Sequence, residues 1–188
     1  EDGLTWTFTI RDDVKFTDGE PLTARDVAFT VNGIINSAAA EADLSMVEDA
    51  SAPDDATLVV KLSKPYNALL YTLAVVGIVP EHAYGPDYGQ KPIGSGRYVL
   101  TQWDRGQQVI LDASPSYYGE KPQIERVVVV FMEEDAALAA AKSGQVDMAY
   151  TSATLADQQV EGYTLESYDT VDSRGVQLPV VPSGTERE

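Results

Sequence analysis

Trp6-Thr7-Phe8-Thr9-Ile10-Arg11-Asp12-Asp13-Val14-Lys15-Phe16-Thr17-Asp18-Gly19-Glu20-Pro21-Leu22-Thr23-Ala24-Arg25-Asp26-Val27 holds a strand, a turn and a helix start in one unbroken stretch. From Leu4 to Ile10 apolar and polar residues alternate, and β-branched side chains are frequent. That is the pattern of a strand with one face buried. Asp18-Gly19 marks a tight turn, because glycine reaches backbone conformations closed to other residues. Thr23 is a good helix N-cap, and Asp26 stands three residues on, where the acid of a capping box sits. Ala24, Val27, Ala28, Val31, Ile34 and Ile35 then recur at helical spacing and give one apolar face.

Beyond this stretch, Asn36 to Asp43 is alanine-rich and weakly patterned. A short strand is expected near Met46-Val47, a turn at Pro53-Asp54-Asp55, and a strand from Thr57 to Leu62. Pro65 is expected to open a helix from Tyr66 to Val75, since its fixed φ is tolerated at a first helical position. Pro80 to Tyr84 adds one further turn. From Gly94 the texture becomes β-rich: Tyr98–Trp103 and Gln107–Ala113 read as paired strands joined at Asp104-Arg105-Gly106. Within Ile124–Met132, the run Val127-Val128-Val129-Val130-Phe131 predicts a strand buried on both faces. Asp135–Ser143 is an alanine-rich helix, with Gly144 suited to its C′ position. A short strand is expected at Val146–Ala149, then a helical turn near Leu155 and strands at Tyr163–Tyr168 and near Gly175–Leu178. A strand–helix–strand order around Val127 to Ala149 predicts an α/β layer with some parallel pairing. The fold class is therefore α/β (mixed α+β), and the texture changes near Pro92.

The chain has 188 residues, no cysteine, and 30 acidic against 13 basic residues, for a net charge of −17. Without cysteine, disulfides, thiolate nucleophiles and Cys-ligated zinc are excluded. Nucleic acid and anionic membrane surfaces are poor partners, because both need clustered Lys and Arg. The acid is spread along the chain, which reads as a solvated surface whose self-repulsion salt would screen. A salt-adapted, halophile-like protein is one expectation; an ordinary acidic surface is the other. No apolar run is long enough to cross a membrane as a helix. Glu1-Asp2-Gly3-Leu4 lacks the basic-then-apolar pattern of a signal peptide, and the first residue is not Met, so a cut or processed chain is expected.

Catalytic patterns are sparse. His82, the single histidine, reads as a structural or solvent-facing residue at a short helix edge, with no neighbouring metal-ligand set. No Gly-x-Ser-x-Gly elbow occurs; Gly94-Ser95-Gly96 is too short, and its likelier work is a tight backbone turn. Glu133-Glu134 and Asp54-Asp55 are adjacent and diverge, so neither builds an acid–base pair. Glu133, Glu134 and Asp135 instead complement a helix N-terminus. Asp12, Asp13, Asp18 and Glu20 do not match a calcium-loop spacing. Tyr117, Tyr118 and Trp103 offer stacking surfaces for a ligand, although packing at the sheet margin explains them as well. From the residues alone this is an acidic α/β domain without visible catalytic machinery.

Four segments, taken in order, resemble the family 5 solute-binding proteins of ABC importers, the group of oligopeptide-, dipeptide-, glutathione- and nickel-binding proteins. Trp6–Val27 is similar to the family's signature stretch. Pro92-Ile93-Gly94-Ser95-Gly96-Arg97-Tyr98 is similar to its P-x-G-T-G-P-Y, with Arg97 for the common proline and Ser95 for threonine. Pro115-Ser116-Tyr117-Tyr118-Gly119-Glu120-Lys121-Pro122 resembles N-P-x-Y-W-G-x-K-P. Ala136 to Asp147 resembles the helix end A-L-x-x-G-E-V-D.

The resemblance implies a type II periplasmic-binding-protein-like fold, here a partial first lobe with a mixed β-sheet and flanking helices. It implies a small subdomain over 1–92, a main sheet subdomain over 93–175, and the start of a crossing to an absent second lobe over 176–188. The implied function is capture of peptides, or a similar small solute, outside the membrane for import, with permease subunits as partners. No catalytic residue, metal ligand or cofactor is implied. Ligand residues carry over poorly, and the candidates are Ala40, Glu41, Gly77, Ser95 and Tyr98. The position where nickel binders carry an arginine falls at Val75-Val76-Gly77-Ile78, which argues against nickel. A hydrolase acting through His82 or a carboxylate, and a structural or adhesive envelope domain, are the competing readings.

Overall fold

The computed structural model describes residues 3–37, 42–152, 157–158 and 160–167. The chain divides into two compact units, Glu1–Phe131 and Met132–Glu188. The first holds strand β1 (Thr5–Thr9), helix α1 (Ala24–Ile35), strands β2 (Val47–Ser51) and β3 (Thr57–Leu62), helix α2 (Leu69–Ala74), and strands β4 (Tyr98–Asp104), β5 (Gln108–Ala113) and β6 (Arg126–Val130). Two 3-10 turns, Glu81–Ala83 and Tyr88–Gln90, lie between α2 and β4. The second unit contains helix α3 (Glu134–Lys142).

Among the described residues two three-stranded sheets form, in orders β1-β3-β2 and β4-β5-β6, and every pairing between their strands is antiparallel. Alternation in β1 sends Trp6 and Phe8 to the inner face. Ala24, Ala28 and Val31 of α1 pack there against Val47, Ala50, Leu58, Val60 and Leu62, all buried. The expected α1 face is thus the observed one, with Val27, Ile34 and Ile35 at its margin. Asn32 adds a polar pin: its amide donates to the Ala50 carbonyl at 2.7 Å and accepts from the Ala50 N–H at 3.0 Å. It stands in for a neighbouring strand along the outer edge of β2.

Several expectations need correction. Pro65 does not open α2; the helix starts at Leu69 after a turn in which the Leu69 N–H reaches the Tyr66 carbonyl at 3.3 Å. Leu69, fully buried, fixes where the helix docks. Of the run Val127–Phe131, Val127 to Val130 lie in β6 and Phe131 follows it, but the strand is not buried on both faces. Val128, Val129, Val130 and Phe131 are 41–47% exposed. β6 ends its sheet with only β5 beside it, while α1 packs on β2 and β3 of the other sheet. No strand forms at Val146–Ala149, nor over 163–167, so the parallel pairing is absent among the described residues. The turn near Leu155 and the strand near Gly175–Leu178 fall outside the described residues.

In the second unit, α3 starts with Glu134 and Asp135 in its first turn, which favours the helix N-terminus. Gly144 follows at φ +69°, the left-handed conformation expected at C′. The Glu134 carboxylate accepts from the Ser152 N–H, and the Tyr163 hydroxyl donates to the Val146 carbonyl.

Candidate ligand-facing site

Of the five candidates, Ala40 and Glu41 lie outside the described residues. Gly77 is exposed in the loop after α2, and Ser95 is half-buried in the link before β4. Tyr98 opens β4, and its hydroxyl donates to the Ile124 carbonyl at 3.0 Å, so this side chain ties β4 to the segment that precedes β6.

The loops carrying Gly77 and Ser95 are fixed to one frame made of α1 and the turn before it. The buried hydroxyl of Thr30 accepts from the Val79 N–H at 3.0 Å and donates to the Asp26 carbonyl at 2.8 Å. Asp26 Oδ1 accepts from the Glu81 N–H at 3.0 Å. The Thr17 N–H donates to the Gly94 carbonyl at 2.8 Å. The signature stretch therefore positions both loops, which is work that its local pattern does not advertise.

One group beside Gly77 escaped the sequence reading. Leu70, Tyr71 and Val75 of α2 and its end are 51%, 82% and 79% exposed. The signal was present, since Leu69–Val76 is apolar almost all round, and such a helix needs cover on more than one side. These exposed apolar side chains lie just before Gly77 in the chain and join it as candidates.

The aromatic residues are already engaged. The Tyr117 and Tyr118 rings lie 4.6 Å apart, with the Arg11 guanidinium 4.8 Å from the Tyr118 ring and that of Arg97 5.4 Å from the Tyr117 ring. Arg11 also forks onto Asp13 at 2.7–2.8 Å. Trp103 sits under Arg105 at 5.3 Å. A shallow groove of about 500 Å³ is lined by Arg25, Phe29, Asn32 and Asn36, among others, and none of the candidates lines it. Arg25 is committed to Asp55 at 2.9 Å and Asn32 to Ala50, so the groove reads as a crease between α1 and β2. Among the described residues no cluster of three or more His, Asp or Glu suits a metal ion. Asp18, one of the acids weighed for calcium, is bonded to His82 at 2.7 Å.

The family model described as "Bacterial extracellular solute-binding proteins, family 5 Middle" matches residues 1–179. The chain belongs to the family 5 extracellular solute-binding proteins. Within that family it is 37% identical over 194 residues to Protein XP55 of Streptomyces lividans, covering 95% of this chain and 35% of that protein. It is 37% identical over 165 residues to the "Probable D,D-dipeptide-binding periplasmic protein DdpA" of Escherichia coli K12, covering 79% of this chain and 31% of that one. Among solved structures it resembles NikZ from Campylobacter jejuni, in complex with Ni(L-His), at a TM-score of 0.74 and 27% identity. That match covers 82% of this chain and 33% of NikZ. The chain spans about a third of the length of these family 5 relatives. The fold is thus the partial-lobe, type II arrangement of larger family 5 proteins.

Proposed function

We propose that this chain is part of the first lobe of the solute-binding subunit of an ABC importer, which captures peptides or a similar small solute outside the membrane and delivers them to permease subunits. The family match over residues 1–179 carries this reading. On it, residues 1–92 form the small subdomain and 93–175 the main sheet subdomain of that lobe, and 176–188 begin the crossing to a second lobe. The protein works by binding rather than catalysis. Its place is the extracellular face of the envelope, periplasmic or lipid-anchored. Peptides are preferred because DdpA is named for a dipeptide. Nickel is disfavoured because Val75–Ile78 occupies the stretch where the family resemblance puts an arginine in nickel binders.

The test is thermal stability of the intact parent protein with di- to pentapeptides, glutathione, nickel chelates and oligosaccharides. A peptide at 100 times its dissociation constant stabilises the intact protein by about 2.7 kcal/mol. The 188-residue chain alone shows no such shift, because a solute held between two lobes needs both. Intact protein unmoved by any member of the panel would sink the import reading.

The charge supports a second expectation under the same reading. With a net charge of −17 and exposed ion pairs such as Arg11–Asp13 and Arg25–Asp55, like-charge repulsion outweighs local attraction at low salt. The melting temperature therefore rises between low and molar sodium chloride. A flat or falling melting temperature over that range removes the salt-adapted reading.

A further inference from the structure

The turn Phe16–Glu20 is closed from within. The Phe16 N–H donates to the Glu20 carbonyl at 2.8 Å, and the Gly19 N–H to the Phe16 carbonyl at 3.0 Å. Gly19 has φ +97°, a conformation strained for any other residue. Asp18 Oδ1 accepts from the Glu20 N–H at 3.1 Å. The second carboxylate oxygen of Asp18 leaves the turn and accepts from His82 Nε2–H at 2.7 Å, across 64 residues of sequence. The imidazole lies edge-on to the buried Phe16 ring, with centroids 6.1 Å apart. His82 itself sits on the turn Glu81–Ala83, which Asp26 anchors through the Glu81 N–H. Within the same turn, the Thr17 N–H donates to the Gly94 carbonyl at 2.8 Å.

We propose that His82 and Asp18 form a pH-dependent clasp that fixes the Phe16–Glu20 turn to the Glu81–Ala83 turn and, through Thr17, sets the Gly94–Gly96 link that carries Ser95. The clasp is independent of which solute the family member binds. The charged groups acting on His82 are Asp18 and Glu20 from the turn and Asp26 from α1, which are acidic and favour the imidazolium; Glu81 is its neighbour in the chain. The hydrogen bond to Asp18 raises the affinity of His82 for its proton, and attraction to Asp18, Asp26 and Glu20 adds to this against a desolvation penalty. For Asp18, partial burial opposes ionisation, but the bonds from His82 and the Glu20 amide outweigh it and hold the carboxyl below its ordinary range.

The sign follows from these directions. A histidine that binds its proton more tightly when folded contributes stability that is fully present below its ordinary value of about 6.5. That contribution fades as pH rises through the raised folded value. The depressed carboxyl of Asp18 adds stability that disappears as pH falls through its own folded value. Between those limits the bond is charge-assisted on both sides; above them the neutral imidazole still donates, but more weakly.

The chain has one histidine, so its imidazole titration by NMR is unambiguous. The expected midpoint lies above about 6.5, the amide of Thr17 shifts with the same midpoint, and the melting temperature declines across that range. Asp18→Asn brings the midpoint back towards the ordinary value. His82→Gln, a change at a side chain 43% exposed, removes the decline in melting temperature. A midpoint at or below the ordinary value, one unmoved by Asp18→Asn, or a Thr17 amide blind to the titration overturns the clasp. If Asp18→Asn does not fold, the Thr17 response and the His82→Gln melting profile decide alone.

Discussion

Phe16→Ala lowers the stability of the chain by about 3–5 kcal/mol, the range for emptying a buried phenylalanine site. The residue is 0% exposed and close to Val14, which is 6% exposed. Neither belongs to the cluster that α1 makes with its sheet, so this ring is the hydrophobic anchor of the turn itself. Its backbone closes the turn through Glu20 and Gly19, and its ring packs at a steep angle against the His82 imidazole. Backbone bonds at the turn rim cannot slide inward to fill the space, so little of the cavity collapses. In urea the midpoint falls while the slope stays unchanged, and the melting temperature drops by about 10 °C or more. Phe16→Leu keeps an apolar filling and loses distinctly less. A loss under about 1 kcal/mol for the alanine variant would mean that the turn is held by its hydrogen bonds rather than its ring.

Why the sequence announced some of this and not the rest follows from range. The Thr23–Asp26 capping box was legible because the partners stand three residues apart and helix geometry fixes how they meet. β3 was legible to the residue, since Thr57–Leu62 is a short apolar, β-branched run bounded by turn residues. Val127–Phe131 revealed a strand, but not its surroundings. Burial depends on what covers a strand, and in β4-β5-β6 the faces of β6 remain open. Val146–Ala149 is too short and too mixed to announce a strand, and among the described residues it pairs with none. The candidate site divides along the same line. Tyr98 stood out as a motif residue, yet its hydroxyl is spent on Ile124, which is 26 residues away. Asp26 read only as the acid of the helix cap and Thr30 as an ordinary position on α1; only the folded chain brings Glu81 and Val79 to them.

Asp26→Ala is expected to cost about 3 kcal/mol, well above the roughly 1 kcal/mol of an ordinary helix cap. The excess comes from the second job of this carboxylate. Oδ2 accepts from the Thr23 N–H at 2.9 Å and the Thr23 hydroxyl at 3.0 Å, and Oδ1 accepts from the Glu81 N–H at 3.0 Å. At 6% exposure, its removal leaves two backbone donors in a place where water replaces it poorly. Asp26→Asn keeps the shape and one good acceptor, so it loses only part of this. Thr23→Ala weakens the cap alone and leaves the Glu81 bond in place. Denaturant titration of the three variants, with hydrogen exchange at the Glu81 amide, separates the two jobs. The Glu81 amide should lose protection in Asp26→Ala and keep it in Thr23→Ala. If Asp26→Ala and Thr23→Ala cost the same, the bond to Glu81 adds nothing, and the turn carrying His82 must be held to α1 by Thr30 and Val79 instead.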